Sequence, residues 1–148
     1  WFRYYCEKYP HMTLILDHAA RGFNPYLPWK GLPALTGLDN LYVDTSVCCA
    51  PLAIMACLKY LGPDHVMWAS DYFCSHQRGT NFGVNQALYW MDEGVGFWQD
   101  ATEVEQVQPT LVGLENLRAA KAAYDMIGFG DKEIEAYFWG NAARVLGL

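Results

Sequence analysis

Charge is what this chain has least of. Only 18% of its 148 residues are charged, and no basic stripe interleaved with aromatics occurs anywhere. Its formal net charge of -6 would repel nucleic acid and anionic membranes, so neither is an expected partner. A membrane-spanning run is also missing. The longest uninterrupted apolar stretch, Val47 to Leu58, contains Pro51 and falls far short of the ~20 residues a span needs, so it reads as a buried helix. No secretory signal is legible, and the chain begins on Trp1, so translation is not expected to start there. The cysteines Cys6, Cys48, Cys49, Cys57 and Cys74 contain no C-x-x-C spacing, which argues against a structural zinc site, and their odd number argues against a disulfide framework. Cys48 and Cys49 are adjacent and read as small hydrophobes in a reducing, cytoplasmic setting. Neither G-x-G-x-x-G nor G-x-x-x-x-G-K-[ST] occurs, so a nucleotide-binding domain has little support.

What the chain does have is apolar surface to bury. Hydrophobic residues make up 53% and aromatics 16%, enough for one domain with a real core over residues 1–148. Two apolar runs end abruptly on residues capable of chemistry. Thr13-Leu14-Ile15-Leu16-Asp17 delivers His18, and His65-Val66-Met67-Trp68-Ala69-Ser70 delivers Asp71. Short continuous apolar runs are the signature of strands buried on both faces of a parallel sheet. Ligands of such sheets bind outside the carboxyl ends of the strands, which is where His18 and Asp71 fall.

The coarse order is α/β. Trp1 to Tyr9 reads as the end of a helix stopped by Pro10, followed by a first strand over about Thr13 to Asp17. Ala19 to Asn40 is rich in Gly and Pro and reads largely as loop. A second strand, Leu41 to Asp44, precedes a helix with Pro51 in its first turn, Gly62 at its end, and a stripe of Leu52, Met55, Leu58 and Leu61. The third strand begins at about His65. Beyond Asp71 the sequence predicts a polar loop over Cys74 to Asn81 and a short helix over Asn85 to Met91. An acidic excursion over Glu93 to Gln108 follows. A helix over Pro109 to Ile127, closed by Gly128, carries Leu114, Leu117, Lys121 and Tyr124 on one side. The last helix runs from Lys132 to Leu146, capped by Asp131.

Four segments in this order resemble a known family: Leu14-Ile15-Leu16-Asp17-His18-Ala19-Ala20, Asn40-Leu41-Tyr42-Val43-Asp44-Thr45-Ser46, Gly62 to Tyr72, and Asn141-Ala142-Ala143-Arg144-Val145-Leu146-Gly147-Leu148. They are similar to the C-terminal half of amidohydrolase-related metal-dependent hydrolases, the branch that includes aminocarboxymuconate-semialdehyde decarboxylase and related aromatic-acid decarboxylases. The resemblance implies part of a (β/α)8 TIM barrel, with the three strands as its sixth to eighth. It implies that Asp71 is a metal-binding aspartate and that His18 handles protons. The metal it implies is divalent, zinc first and manganese second. The residue chemistry agrees, since a carboxylate can hold such an ion while His titrates near neutral pH. Spacing alone leaves a second reading standing equal, in which Asp71 caps a helix and His18 is a hydrogen-bonded core histidine.

Arg21 and Asn24 follow His18 on the loop that would overlook the barrel mouth, where they could grip a substrate carboxylate. His76 and Arg78 hold the corresponding place after Asp71, and Asp44 ends the second strand. His11 and His65 precede strands and read as structural. Two departures from the resemblance stand out: Ala19-Ala20 where relatives carry glycines, and Phe73 where a Pro is common. The larger departure is the lack of a His-x-His motif, which in that family supplies two metal ligands from the first strand. A whole barrel also needs roughly 200 residues or more. The expectation is therefore a hydrolase or non-oxidative decarboxylase acting on a small carboxylated or cyclic substrate. The missing N-terminal half of the barrel would come from residues outside this sequence or from a complementary chain, with a homo-oligomer possible. The rival expectation is a non-catalytic half-barrel that serves as an interaction or assembly module.

Overall fold

In the computed structural model, residues 1–92 and 110–148 are described; the acidic stretch Glu93–Gln108 therefore lies outside the described residues. Helix α1 (Phe2–Lys8) ends at Tyr9, before Pro10, and leads to β1 (Leu14–Leu16). Within the segment expected to be loop, α2 (Tyr26–Gly31) and a 3-10 turn (Leu32–Leu35) form. Proline is tolerated there because Pro28 and Pro33 both fall in first turns, where no amide hydrogen is needed. Strand β2 (Leu41–Asp44) has its expected bounds, and α3 (Pro51–Leu61) starts on Pro51 and stops at Gly62 (φ 89°). His65 closes a 3-10 turn (Pro63–His65) rather than opening a strand, leaving β3 only Val66–Met67.

The three strands are parallel and lie in the order β1-β2-β3. Sequential order without a reversal is the order that a barrel segment has. The fold class is thus α/β, part of a (β/α)8 barrel. Register fixes the two faces. Leu16, Val43 and Val66 are aligned partners, and strand alternation puts Ile15, Tyr42, Asp44 and Met67 on the other side. Leu16, Leu41, Val43 and Val66 are buried with Ala53, Ile54 and Cys57 of α3 and with Ala119, Ala120 and Ala123 of α4 (Val112–Ile127).

Both large helices differ from the expected stripes. Leu58 of α3 and Tyr124 of α4 are buried as expected, but Leu52 and Leu114 are exposed, and Ala53, Ala56 and Cys57 of α3 and Ala119, Ala120 and Ala123 of α4 are buried as well. Helix α3 is apolar nearly all round and can turn its Ala and Cys side inward, and the alanines of α4 let the two helices approach closely. Asn116 on α4 exploits that approach: its amide donates to Thr45 O (2.7 Å) and Cys48 O (2.9 Å). The cysteines are all free, and Cys48 and Cys57 are fully buried, with burial pushing the Cys48 thiol up to about 12. They pack as hydrophobes.

A larger correction concerns Asn85 to Met91, which is no helix. A hairpin of β4 (Gly79–Val84) and β5 (Ala87–Asp92) occupies this region, so the expected loop from Cys74 ends at Gly79. Val84 pairs with Ala87, leaving Asn85-Gln86 as a two-residue turn, and Asn85 takes the positive φ (56°) that such a turn requires. The last helix is also divided. It comprises α5 (Asp131–Glu135), a π-helical turn (Ala136–Gly140) and α6 (Asn141–Leu146). Its cap is Gly130, whose N–H donates to Glu133 Oε2 (3.0 Å), so Asp131 is already helical. This C-terminal segment covers the outer edge of β3: Trp68 N–H donates to Tyr137 O (2.9 Å), and the Asn141 amide donates to Pro63 O and Val66 O. Among the described residues no helix is long and apolar enough to cross a membrane.

Candidate active site

Each parallel strand ends on a carboxylate. Asp17 follows β1, Asp44 closes β2, and Asp71 lies beyond β3. The chain leaves β1 by a left-handed turn, with His18, Ala19, Ala20 and Arg21 all at φ between 52° and 58°. Four residues other than glycine in this region cost about 1–2 kcal/mol each. This gives a physical reason for glycine at the positions of Ala19 and Ala20. Gly22, which follows, cannot be enlarged: a Cβ there would meet Ala19 O at 2.4 Å and the Pro28 ring at 3.0 Å.

The turn is held by Asp44. His18 N–H donates to Asp44 Oδ1 (3.0 Å), which also accepts Ser46 N–H (2.9 Å) and the Ser46 hydroxyl (2.6 Å). Ser46 Oγ lies 2.8 Å from His18 Nδ1, and Asp71 Oδ2 lies 3.9 Å from that nitrogen. His18 and Asp71 side chains are each about 30% exposed (29% and 30%), so the pair faces a site that a small molecule can reach. The His18 ring stacks on buried Phe23 (5.5 Å, 27°), and Phe23 meets Trp90 of β5 edge-on. Beside the pair, Ile15, Asp17, Asp44, Met67 and Trp68 line a cleft of about 270 Å³, closed from the side by α6. Burial first, then the charge of Asp44 and a hydrogen bond to it, push the Asp17 carboxyl above its ordinary range; His18 opposes the shift and Asp71 adds to it.

The remaining candidates are placed differently. Asn24 is buried, its amide donates to Asn85 O (2.7 Å) and Ala87 O (3.0 Å), and its oxygen accepts Tyr26 N–H. Both donors are spent on the hairpin turn, so Asn24 pins β4–β5 to the loop after β1. Arg21 is exposed beside the left-handed turn. His76 is exposed, with Nδ1 3.2 Å from Ser75 Oγ and its ring against Tyr72. Arg78 is exposed and its backbone bridges to Leu111. His65 bonds through Nδ1 to Leu41 O (2.8 Å), a structural contact. Ser46 and Phe23 were not singled out in the sequence. The legible signal for Ser46 is Asp-x-Ser, the pattern in which an Asp side chain accepts the amide two residues on.

A divalent metal needs about three protein ligands. Among the described residues no group of three His, Cys, Asp or Glu side chains is placed to hold one. The described part of the chain does not complete a metal centre.

The sequence profile of a family described as amidohydrolase matches residues 6–148, nearly the whole chain. No curated protein matches. Two solved structures resemble the chain at a TM-score of 0.49. One is 2,6-dihydroxybenzoate decarboxylase complexed with 2,6-dihydroxybenzoate, at 14% identity. The other is 5-carboxyvanillate decarboxylase LigW from Sphingomonas paucimobilis, at 19% identity. Each alignment covers 96% of this chain and 36% of the solved one, so the chain spans little more than a third of those proteins.

Proposed function

The chain belongs to the amidohydrolase family, and on that premise we propose that it is the C-terminal part of a metal-dependent hydrolase or non-oxidative decarboxylase. The observation that carries this reading is the meeting of His18 and Asp71. They come from the ends of different strands, more than fifty residues apart in sequence, and approach to 3.9 Å at the carboxyl end of a parallel sheet. Asp71 supplies one carboxylate ligand to a divalent ion, zinc or manganese. Such an ion, when bound, polarises the substrate or a water. The other ligands come from N-terminal barrel strands that this sequence does not contain, or from a complementary chain. Those strands would also cover the side of the sheet that carries Ile15 and Asp17.

His18 moves the proton. Its imidazole lies next to a carboxylate and is held by Phe23 and Ser46, a placement suited to an acid or a base. The substrate is a small carboxylated or cyclic molecule, with Arg21, His76 and Arg78 the exposed polar groups of the adjoining loops. Metal analysis of the intact protein tests the reading. Asp71→Asn should lower the bound divalent metal well below stoichiometric and abolish turnover of such substrates. Unchanged metal content and turnover in that variant would overturn the assignment. Purified native protein without stoichiometric metal would favour the interaction-module reading instead.

A further inference from the structure

We infer that Ser46 fixes the tautomer of His18, so that the neutral ring carries its hydrogen on Nδ1 and presents a bare Nε2. The argument is a count of hydrogens. A serine hydroxyl has one proton to give. At 2.6 Å that of Ser46 goes to Asp44 Oδ1, an atom that also receives the His18 and Ser46 backbone amides. An oxygen surrounded by three donors has no hydrogen to return. Ser46 Oγ can therefore offer only a lone pair toward His18 Nδ1, 2.8 Å away, and Nδ1 must be the donor of that contact. The other charged group near Nδ1, the Asp71 carboxylate at 3.9 Å, is an acceptor too, so both neighbours favour the same tautomer.

The device is built from buried parts. Ser46 is 2% exposed and Asp44 9%, so water competes little for either bond. Phe23 lies against the face of the imidazole and limits its rotation. Asp44 does two jobs through one oxygen, since it anchors the His18 backbone in the left-handed turn and orients the hydroxyl that orients the ring. Ser46 and Asp44 are positioning residues, acting through His18. The tautomer follows from the hydrogen bonds alone; its use, leaving Nε2 as the nitrogen that accepts a proton, rests on the function proposed above.

Nitrogen-15 spectra of the histidine rings read the tautomer without reference to activity. The intact protein is labelled at its histidines, and His18→Gln identifies the resonances of that ring. Neutral His18 is expected as the Nδ1–H form. In Ser46→Ala the acceptor at 2.8 Å is gone and only the Asp71 carboxylate at 3.9 Å, beyond hydrogen-bond distance, remains, so at least half of the neutral ring should move to the Nε2–H form that free imidazole side chains prefer. Ser46→Thr, which keeps a hydroxyl, should hold the Nδ1–H form. An Nε2–H ring in the unsubstituted protein overturns the inference, and this arm needs no variant at position 46 to fold. A Ser46→Ala ring unchanged from the unsubstituted protein also overturns it. In turnover, Ser46→Ala should lose about tenfold to a hundredfold in kcat with KM little changed, the usual scale for a residue that orients a catalytic group. A shifted tautomer with unchanged kcat would support the inference while overturning the catalytic role of His18.

Discussion

The two faces of the three-stranded sheet were made from the same short strands and came out as opposites. One face, with Leu16, Leu41, Val43 and Val66, is sealed under α3 and α4, and no Asp, Glu, His, Lys or Arg is buried in that cluster. The other carries Ile15, which is 37% exposed, together with Asp17, Asp44 and Met67 around an open cleft. Backbone strain is divided the same way. Among the described residues, His18 to Arg21 and Asp71 are five of the seven other than glycine at positive φ, and all five lie at the end of the sheet where the carboxylates gather. Packing is concentrated on the first face, while the carboxylates and the strained backbone lie toward the second. A fold can tolerate a strained, charged edge when the opposite face is packed well enough to hold it.

Truncation gives the largest effect that separates the faces. Leu41→Ala, at a fully buried site against the helices, should cost about 2–5 kcal/mol in denaturant unfolding. Ile15→Ala should cost well under 1 kcal/mol if its face is open, because an exposed side chain loses little on removal. If further strands cover that face, as the proposed function requires, Ile15→Ala should approach the cost of Leu41→Ala. Measuring both in the intact protein decides between an open sheet and a closed barrel. Next in size is Asn116→Ala, which removes the side-chain amide that donates to Cys48 O and, beside the Cys48 N–H, to Thr45 O, and should cost about 1–3 kcal/mol. A cost near zero would show that this loop is held by packing alone.

Much of the sealed face was legible in the sequence, and the reason is periodicity. Leu41 to Asp44 is bounded by turn residues and reads as a strand without help from tertiary contacts. The His18 and Asp71 pairing was legible too, because each ends an apolar run. The rest depends on non-local contacts. Asp-His-Ala-Ala-Arg has no glycine to announce a left-handed path, and the Asp44 carboxylate that accepts the His18 amide there is 26 residues away. The hairpin escaped because Asn-Gln is a poor turn signal and Leu88 to Met91 shows no alternation of apolar and polar residues. Asn24 read as a loop residue able to grip a substrate, since nothing in its neighbours announces the hairpin turn it binds.

The third effect belongs to the open face and depends on pH. The Asp17 carboxyl is raised in the folded chain by burial and by Asp44, so folding favours its protonated form. Its contribution to stability is then fully present below the ordinary carboxylate value of 3.8 and is lost as pH rises through the raised value. Asp17→Asn should remove that loss, flattening the stability profile above pH 4 in a series of unfolding curves. A profile parallel to that of the unsubstituted protein would mean that burial and Asp44 do not raise the Asp17 carboxyl.

The smallest effect tests whether the strain of the turn is stored there. Ala20 has φ 58° and ψ 40°, a conformation glycine adopts without a Cβ clash. Ala20→Gly therefore relieves about 1–2 kcal/mol in the folded chain. It gives back about 0.5–1 kcal/mol through the greater freedom of glycine in the unfolded chain. The expected net is a stabilisation below about 1 kcal/mol, a rise of about 2–4 °C at most in Tm for a chain of this size. Gly22→Ala, two residues later, should do the reverse, because its new methyl collides with Ala19 O rather than relieving anything. If Ala20→Gly instead destabilised, the turn would be held by the Ala20 methyl against the core, and the strain would not be the feature that distinguishes this end of the sheet from the sealed face.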